Sequence, residues 1–176
     1  ARLVVERRQG RHRYVALDNP EVAEVIERLL ALAPPVRARR RLRAVGATQA
    51  LCRARTCYDH LAGALGVAIT DALVKRGVIG ADFDLAAHGR TWLSDQLGVD
   101  VSSSARRPLT RECLDWTERR PHLAGAVGAG LCAELFRRDW IVRIGNSRAV
   151  RTTATGDDAL HQLFGVSPET WRAAPI

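Results

Sequence analysis

Cysteines and histidines supply the ligand-type residues of this chain. Cys57-x-x-His60 sets a thiol and an imidazole three residues apart, the spacing of one helix face. A soft thiolate beside an imidazole suits zinc or another thiophilic ion. Cys113 completes the expected metal set of Cys57, His60 and Cys113, with Cys52 and His122 as further ligand-type residues if the segments carrying them pack face to face. The residues equally allow a plainer reading, with Cys57 as a small buried hydrophobe and His60 as a helix-start residue bonded to backbone. His122 has no cysteine three residues before it, which favours a structural histidine. The cofactor expectation is therefore a divalent or soft metal ion, or none. Cys132 falls on an apolar helix face and reads as core.

A second group mixes acids and aromatics. Tyr58, Asp59 and His60 in one place, and Asp115, Trp116 and His122 in another, form a candidate effector-binding crevice for a small polar or cationic ligand. Alternatively these residues cap helices and pair with arginines such as Arg119 and Arg120. The chain has no Gly-rich phosphate loop, no Gly-x-Ser-x-Gly and no His-Glu-x-x-His, so the expectation is a non-enzyme with no catalytic residues.

The elements that position these groups follow from pattern. The chain has 176 residues, 47% hydrophobic and 26% charged, an ordinary globular composition for one domain or two small ones. No apolar run is long enough to span a membrane, and no basic-then-apolar leader opens the chain. The expected setting is a reducing cytoplasm, with the four cysteines as thiols. The net charge is +8, and Lys75 is the sole lysine among 27 basic residues. From Arg28 through Tyr58 there are eight arginines and no acid. Such a block marks a polyanion contact or a solvated linker.

Leu3-Val4-Val5 and Tyr14-Val15-Ala16-Leu17 flank Gln9-Gly10 and predict a β-hairpin with an arginine-rich tip. Asn19-Pro20-Glu21 opens a helix whose Val22, Val25, Ile26, Leu29 and Leu30 share one face, and Pro34-Pro35 ends it. A helix is expected from Gly46 to about Tyr58. His60-Leu-Ala-Gly-Ala-Leu-Gly then recurs as His122-Leu-Ala-Gly-Ala-Val-Gly, each expected to start a helix at its histidine. A hairpin with a Gly145-Asn146 turn follows the second copy, a stunted one over Gly80–Leu85 follows the first, and each copy closes with a further helix. The domain reading is residues 1–35 for hairpin and helix, 36–45 for a basic linker, and 46–176 for a domain of two repeats, about 46–101 and 109–170.

The run Leu3–Ala33 resembles the wing and last helix of ArsR/SmtB-type winged helix-turn-helix repressors, down to Arg8-Gln9-Gly10-Arg11-His12-Arg13-Tyr14. The segments Ala54–Gly63 and Cys113–Gly125 are similar to the long C-terminal domain of one branch of those regulators. The resemblance implies a mostly α fold with short β-hairpins, a wing followed by tandem degenerate winged-helix repeats. It implies a DNA-binding repressor of transcription acting as a homodimer, with Arg7, Arg8, Gln9, Gly10, Arg11, His12 and Arg13 on DNA, and Val22, Val25, Ile26 and Leu29 at or near the dimer interface. In that family a recognition helix precedes the wing. The chain opens directly on strand residues, so natural sequence carrying that helix is expected upstream of Ala1. The expected partners are DNA through the intact protein, a second copy and a small-molecule effector, with no membrane. The alternatives are a metal- or thiol-responsive sensor and a general charge-driven nucleic-acid binder.

Overall fold

The computed structural model describes residues 2–9, 12–32, 42–101 and 107–172. β1 (Val4–Gln9) and β2 (His12–Leu17) pair antiparallel from Val4↔Leu17 to Gln9↔His12. Wing residues Gly10 and Arg11 lie outside the described residues. The Asn19 side chain accepts a 3.0 Å hydrogen bond from the Val22 N–H and opens α1 (Pro20–Leu32), with Pro20 at a first-turn position that needs no N–H.

The body begins with α2 (Leu42–Arg53) and then repeats one theme twice. In the first copy a hairpin of β3 (Arg55–Cys57) and β4 (His60–Ala62) feeds α3 (Gly63–Lys75), and α4 (Ala87–Leu97) closes it. In the second, β5 (Arg111–Leu114) and β6 (Pro121–Ala124) feed α5 (Gly125–Arg137). A hairpin of β7 (Ile141–Arg143) and β8 (Val150–Thr152) follows, then α6 (Ala154–Phe164) and the short α7 (Pro168–Arg172). The first copy's counterpart of that hairpin is a single bridge, Ile79↔Leu85. The architecture is mostly helical with two-stranded antiparallel hairpins, a winged-helix-like fold with the winged-helix theme repeated in tandem.

Two expectations fail at the repeat phrase. The helix before it ends at Arg53, and His60-Leu-Ala is a strand rather than the first turn of a helix. Cys57 and His60 are therefore cross-strand partners and not neighbours on a helix face. The tight turn explains the difference: Tyr58 adopts a left-handed φ of 55°, which reverses the chain between them. The helix starts at Gly63, where φ is 78°, a conformation glycine reaches without strain. Gly125 repeats it at 84°.

The copies interlock crosswise. β4 packs on α5, β6 on α3, and the two strands meet each other. Thr70 ties them polarly: its hydroxyl donates to the Gly66 carbonyl at 2.8 Å and accepts the Leu123 N–H at 2.9 Å. Leu65, Ile69 and Leu73 of α3, Leu131 and Leu135 of α5, and Leu93, Leu97, Leu160 and Phe164 of the closing helices bury into one shared core. Trp92 meets Phe164 edge-on at 6.0 Å between ring centroids. Cys132 lies in that core as expected, and burial pushes its thiol up to about 12. No helix among the described residues is long and apolar enough to cross a membrane.

Candidate metal centre

The interlocking brings Cys57, His60, Cys113 and His122 to one point. One ligand-type atom from each lies within 4.8 Å of all the others, and all four residues are buried. Cys57 pairs with His60 across the first hairpin, and Cys113 pairs with His122 across the second. His122 thus does have a cysteine partner, reached through a longer loop and hidden from a count of three residues. Each repeat delivers one thiol and one imidazole. The thiols meet at 3.9 Å and the two Nε2 atoms at 3.2 Å, with ring centroids 5.1 Å apart.

The two histidines lie over the mid-helix glycines of the repeat phrase. His122 Cβ lies 3.8 Å from where a Cβ on Gly66 would stand, and His60 Cβ lies 3.4 Å from the equivalent point on Gly128. Each histidine therefore rests on the glycine of the opposite helix. A Cβ on Gly66 would also stand 2.6 Å from the Leu61 carbonyl oxygen.

An aspartate stands behind each imidazole. His60 Nδ1 is 3.3 Å from Asp59 Oδ1, and Arg107 grips Asp59 from outside at 2.6 Å and 3.0 Å. Burial disfavours the Asp59 charge, but hydrogen bonds from His60 and Arg107 outweigh it and hold the carboxyl below its usual range. His122 Nδ1 is 3.3 Å from Asp115 Oδ2, within ion-pair range but off the hydrogen-bond direction. Asp115 is fully buried. Its Oδ1 takes Arg55 Nη2 at 2.9 Å and the Thr117 hydroxyl at 2.6 Å, and its Oδ2 takes the Gly63 N–H at 2.7 Å. The second repeat thus caps the N-terminus of the first repeat's α3, where a carboxylate complements the helix dipole. Burial again opposes the Asp115 charge, and His122, Arg55 and Thr117 reverse it, so the carboxyl is held low. Burial likewise opposes the His122 cation, while Asp115 and Cys113 raise its pKa above the ordinary value.

The thiols behave as a pair. The Cys57 hydrogen bond lowers the Cys113 pKa, helped by both imidazoles, and the same bond together with burial raises Cys57.

The candidate effector residues do not line a common open crevice. Trp116 stacks against the Arg55 guanidinium at 4.8 Å, and Asp115 is spent on Arg55 and the α3 cap. Tyr58 is 47% exposed and borders the space beneath α1 with Ala23 and Glu27. Of the arginines expected to partner these acids, Arg120 binds Asp71 instead, at 2.7 Å. The space bordered by Cys57, His60 and Cys113 measures about 10 Å³. That is the size of one water or one ion, far below the ~300–1,000 Å³ of a small-molecule pocket. Arg55 and Arg107 carry no local signal in the sequence, because in an arginine-rich chain nothing separates a buried arginine from a solvated one.

The α1 helix borders the same space. Its Pro20, Ala23 and Glu24 help line it. Glu24 pairs with Arg111, two residues before Cys113, and the buried Glu27 pairs with Arg148 at 3.2 Å. The helix docks by its acids and turns its apolar face outward: Val25, Ile26, Leu29 and Leu30 are all exposed.

No family model matches the chain, and no solved structure does. The chain is 37% identical over 171 residues to YdfF of Bacillus subtilis (strain 168), named an uncharacterized HTH-type transcriptional regulator, a match that takes in 94% of this chain and 75% of the relative. The chain belongs to that family of HTH-type transcriptional regulators.

Proposed function

We propose that the chain is the wing and C-terminal domain of an ArsR-type repressor that binds DNA as a homodimer. The observation that carries this reading is the order β1, β2, α1. A hairpin with arginines at positions 7, 8, 11 and 13 leads directly into a helix whose Val25, Ile26, Leu29 and Leu30 face outward. Winged helices set such hairpins along phosphates, beside a recognition helix in the major groove. The relative's name as an HTH-type regulator and the net charge of +8 support DNA as the partner. A second copy is the occupant that suits the apolar face of α1, with Val22, Val25, Ile26 and Leu29 at or near the interface, because a two-fold protein matches a palindromic site.

The C-terminal domain serves as the sensing and assembly unit. Its link to the wing is α1, held to the body by Glu24–Arg111 and Glu27–Arg148. An effector regulates DNA binding only through unequal affinity for the two arrangements of the dimer. The test is DNA retention by the full-length protein on operator and random duplexes across a salt series. A specific repressor shows an operator preference that survives added salt. A charge-driven binder shows steep salt dependence and no preference, which would overturn the repressor reading.

A further inference from the structure

The buried quartet goes beyond the DNA-binding reading and does not depend on it. We propose that Cys57, His60, Cys113 and His122 form a closed four-coordinate site for a divalent ion of the zinc class, which clasps the two repeats together.

Two of the separations fit the ion. Metal–ligand bonds of about 2.3 Å to sulfur and about 2.0–2.1 Å to nitrogen, set at tetrahedral angles, place the two sulfurs about 3.8 Å apart and the two nitrogens about 3.3 Å apart. The observed separations are 3.9 Å and 3.2 Å. Two thiols and two imidazoles are a donor set that structural zinc uses. The hard-ion donors of calcium and magnesium are missing from the first ring of atoms.

The outer atoms fit as well. Both imidazoles turn Nε2 inward, and Nδ1 of each faces an aspartate at 3.3 Å. A carboxylate behind a histidine fixes the ring's orientation and raises its basicity as a ligand. Asp59 and Asp115 occupy those places, each anchored by an arginine. An ion gives the facing Nε2 atoms a common partner. It also lets both thiols ionise, since a divalent charge balances two thiolates.

All four corners come from protein and all are buried, so the site leaves no position open for substrate. That is the signature of a structural or sensory ion rather than a catalytic one. Each repeat supplies one cysteine and one histidine, so neither repeat can bind alone.

The experiment is uptake of Zn²⁺ and Co²⁺ by the reduced, chelator-stripped chain, with folding followed by circular dichroism. Wild type should take up one equivalent in competition with a chromophoric chelator, and its cobalt form should show intense tetrahedral d–d bands with sulfur-to-cobalt charge transfer. Cys57→Ser, Cys113→Ser and His60→Ala should each lose that uptake, whereas Cys52→Ser should keep it. Asp59→Asn, which leaves all four ligands in place, should weaken binding by about 10–100-fold. Three outcomes would overturn the proposal: a folded wild type that takes up no zinc, weak octahedral cobalt bands, or uptake that survives loss of Cys57 and Cys113. A folded, metal-indifferent chain in which Cys57 and Cys113 simply oxidise to a disulfide overturns it too. Each of these results is independent of DNA binding, which the full-length protein reports separately.

Discussion

His60 and His122 stand 62 residues apart in the chain and face each other Nε2 to Nε2 at 3.2 Å, each lying on the mid-helix glycine of the other's repeat. This relationship follows from the crosswise packing of β4 on α5 and of β6 on α3, with the two strands in contact.

The first prediction concerns those glycines. Gly66→Ala and Gly128→Ala press a methyl group onto the Leu61 and Leu123 carbonyls. Overpacking of this kind costs about 1–3 kcal/mol. Gly46, within α2, has open space around the same point. There alanine should stabilise by ~0.5–1 kcal/mol, because it removes unfolded-chain entropy in a helix. Urea denaturation of the three variants checks the opposite signs.

Asp115 gives the second. Asp115→Ala leaves Arg55 buried without its carboxylate, and the Gly63 N–H and Thr117 without their acceptor. Breaking one partner of a buried pair costs about 3–5 kcal/mol. Chemical denaturation should show a loss of that size, whereas Arg120→Ala, from the exposed Arg120–Asp71 pair, should move stability by less than ~1 kcal/mol.

The third tests how α1 is held. Arg148→Ala strands the buried Glu27 carboxylate and should cost ~1–2 kcal/mol, the pair being half open to water on the arginine side. The double variant Glu27→Leu with Arg148→Ala removes both charges and should recover most of the loss. A double variant no more stable than Arg148→Ala alone would show that Glu27 is not held by that arginine.

The fourth concerns the wing. Arg8→Ala with Arg11→Ala in the full-length protein should weaken operator and random DNA alike, and should flatten the salt slope by about 0.9 for each lost phosphate contact. Retention assays at several salt concentrations measure both quantities, and a loss confined to operator DNA would contradict a phosphate role.

Much of this was legible in the sequence, for identifiable reasons. The hairpin β1–β2 announces itself through β-branched runs around Gln9-Gly10, and α1 through Asn19-Pro20 and its 3–4 apolar spacing. The repeat is visible because both copies keep the same small and apolar residues. The Cys57–His60 pairing as a hairpin was hidden, since a three-residue strand has too few residues to show alternation, and thiol–imidazole spacing reads equally as a helix face. The partnership of Cys113 with His122 was hidden by its loop, which separates them by nine positions where the first copy has three. Long-range pairs such as Arg55–Asp115 carry no local signal at all.

X-ray absorption at the zinc edge of the loaded, reduced chain reads the ligand set of the quartet directly. Two sulfur scatterers at about 2.3 Å and two imidazole nitrogens at about 2.0–2.1 Å are expected. Cys113→Ser should remove one sulfur from that shell. A first shell of nitrogen and oxygen alone, or of four sulfurs from two chains, would contradict that ligand set.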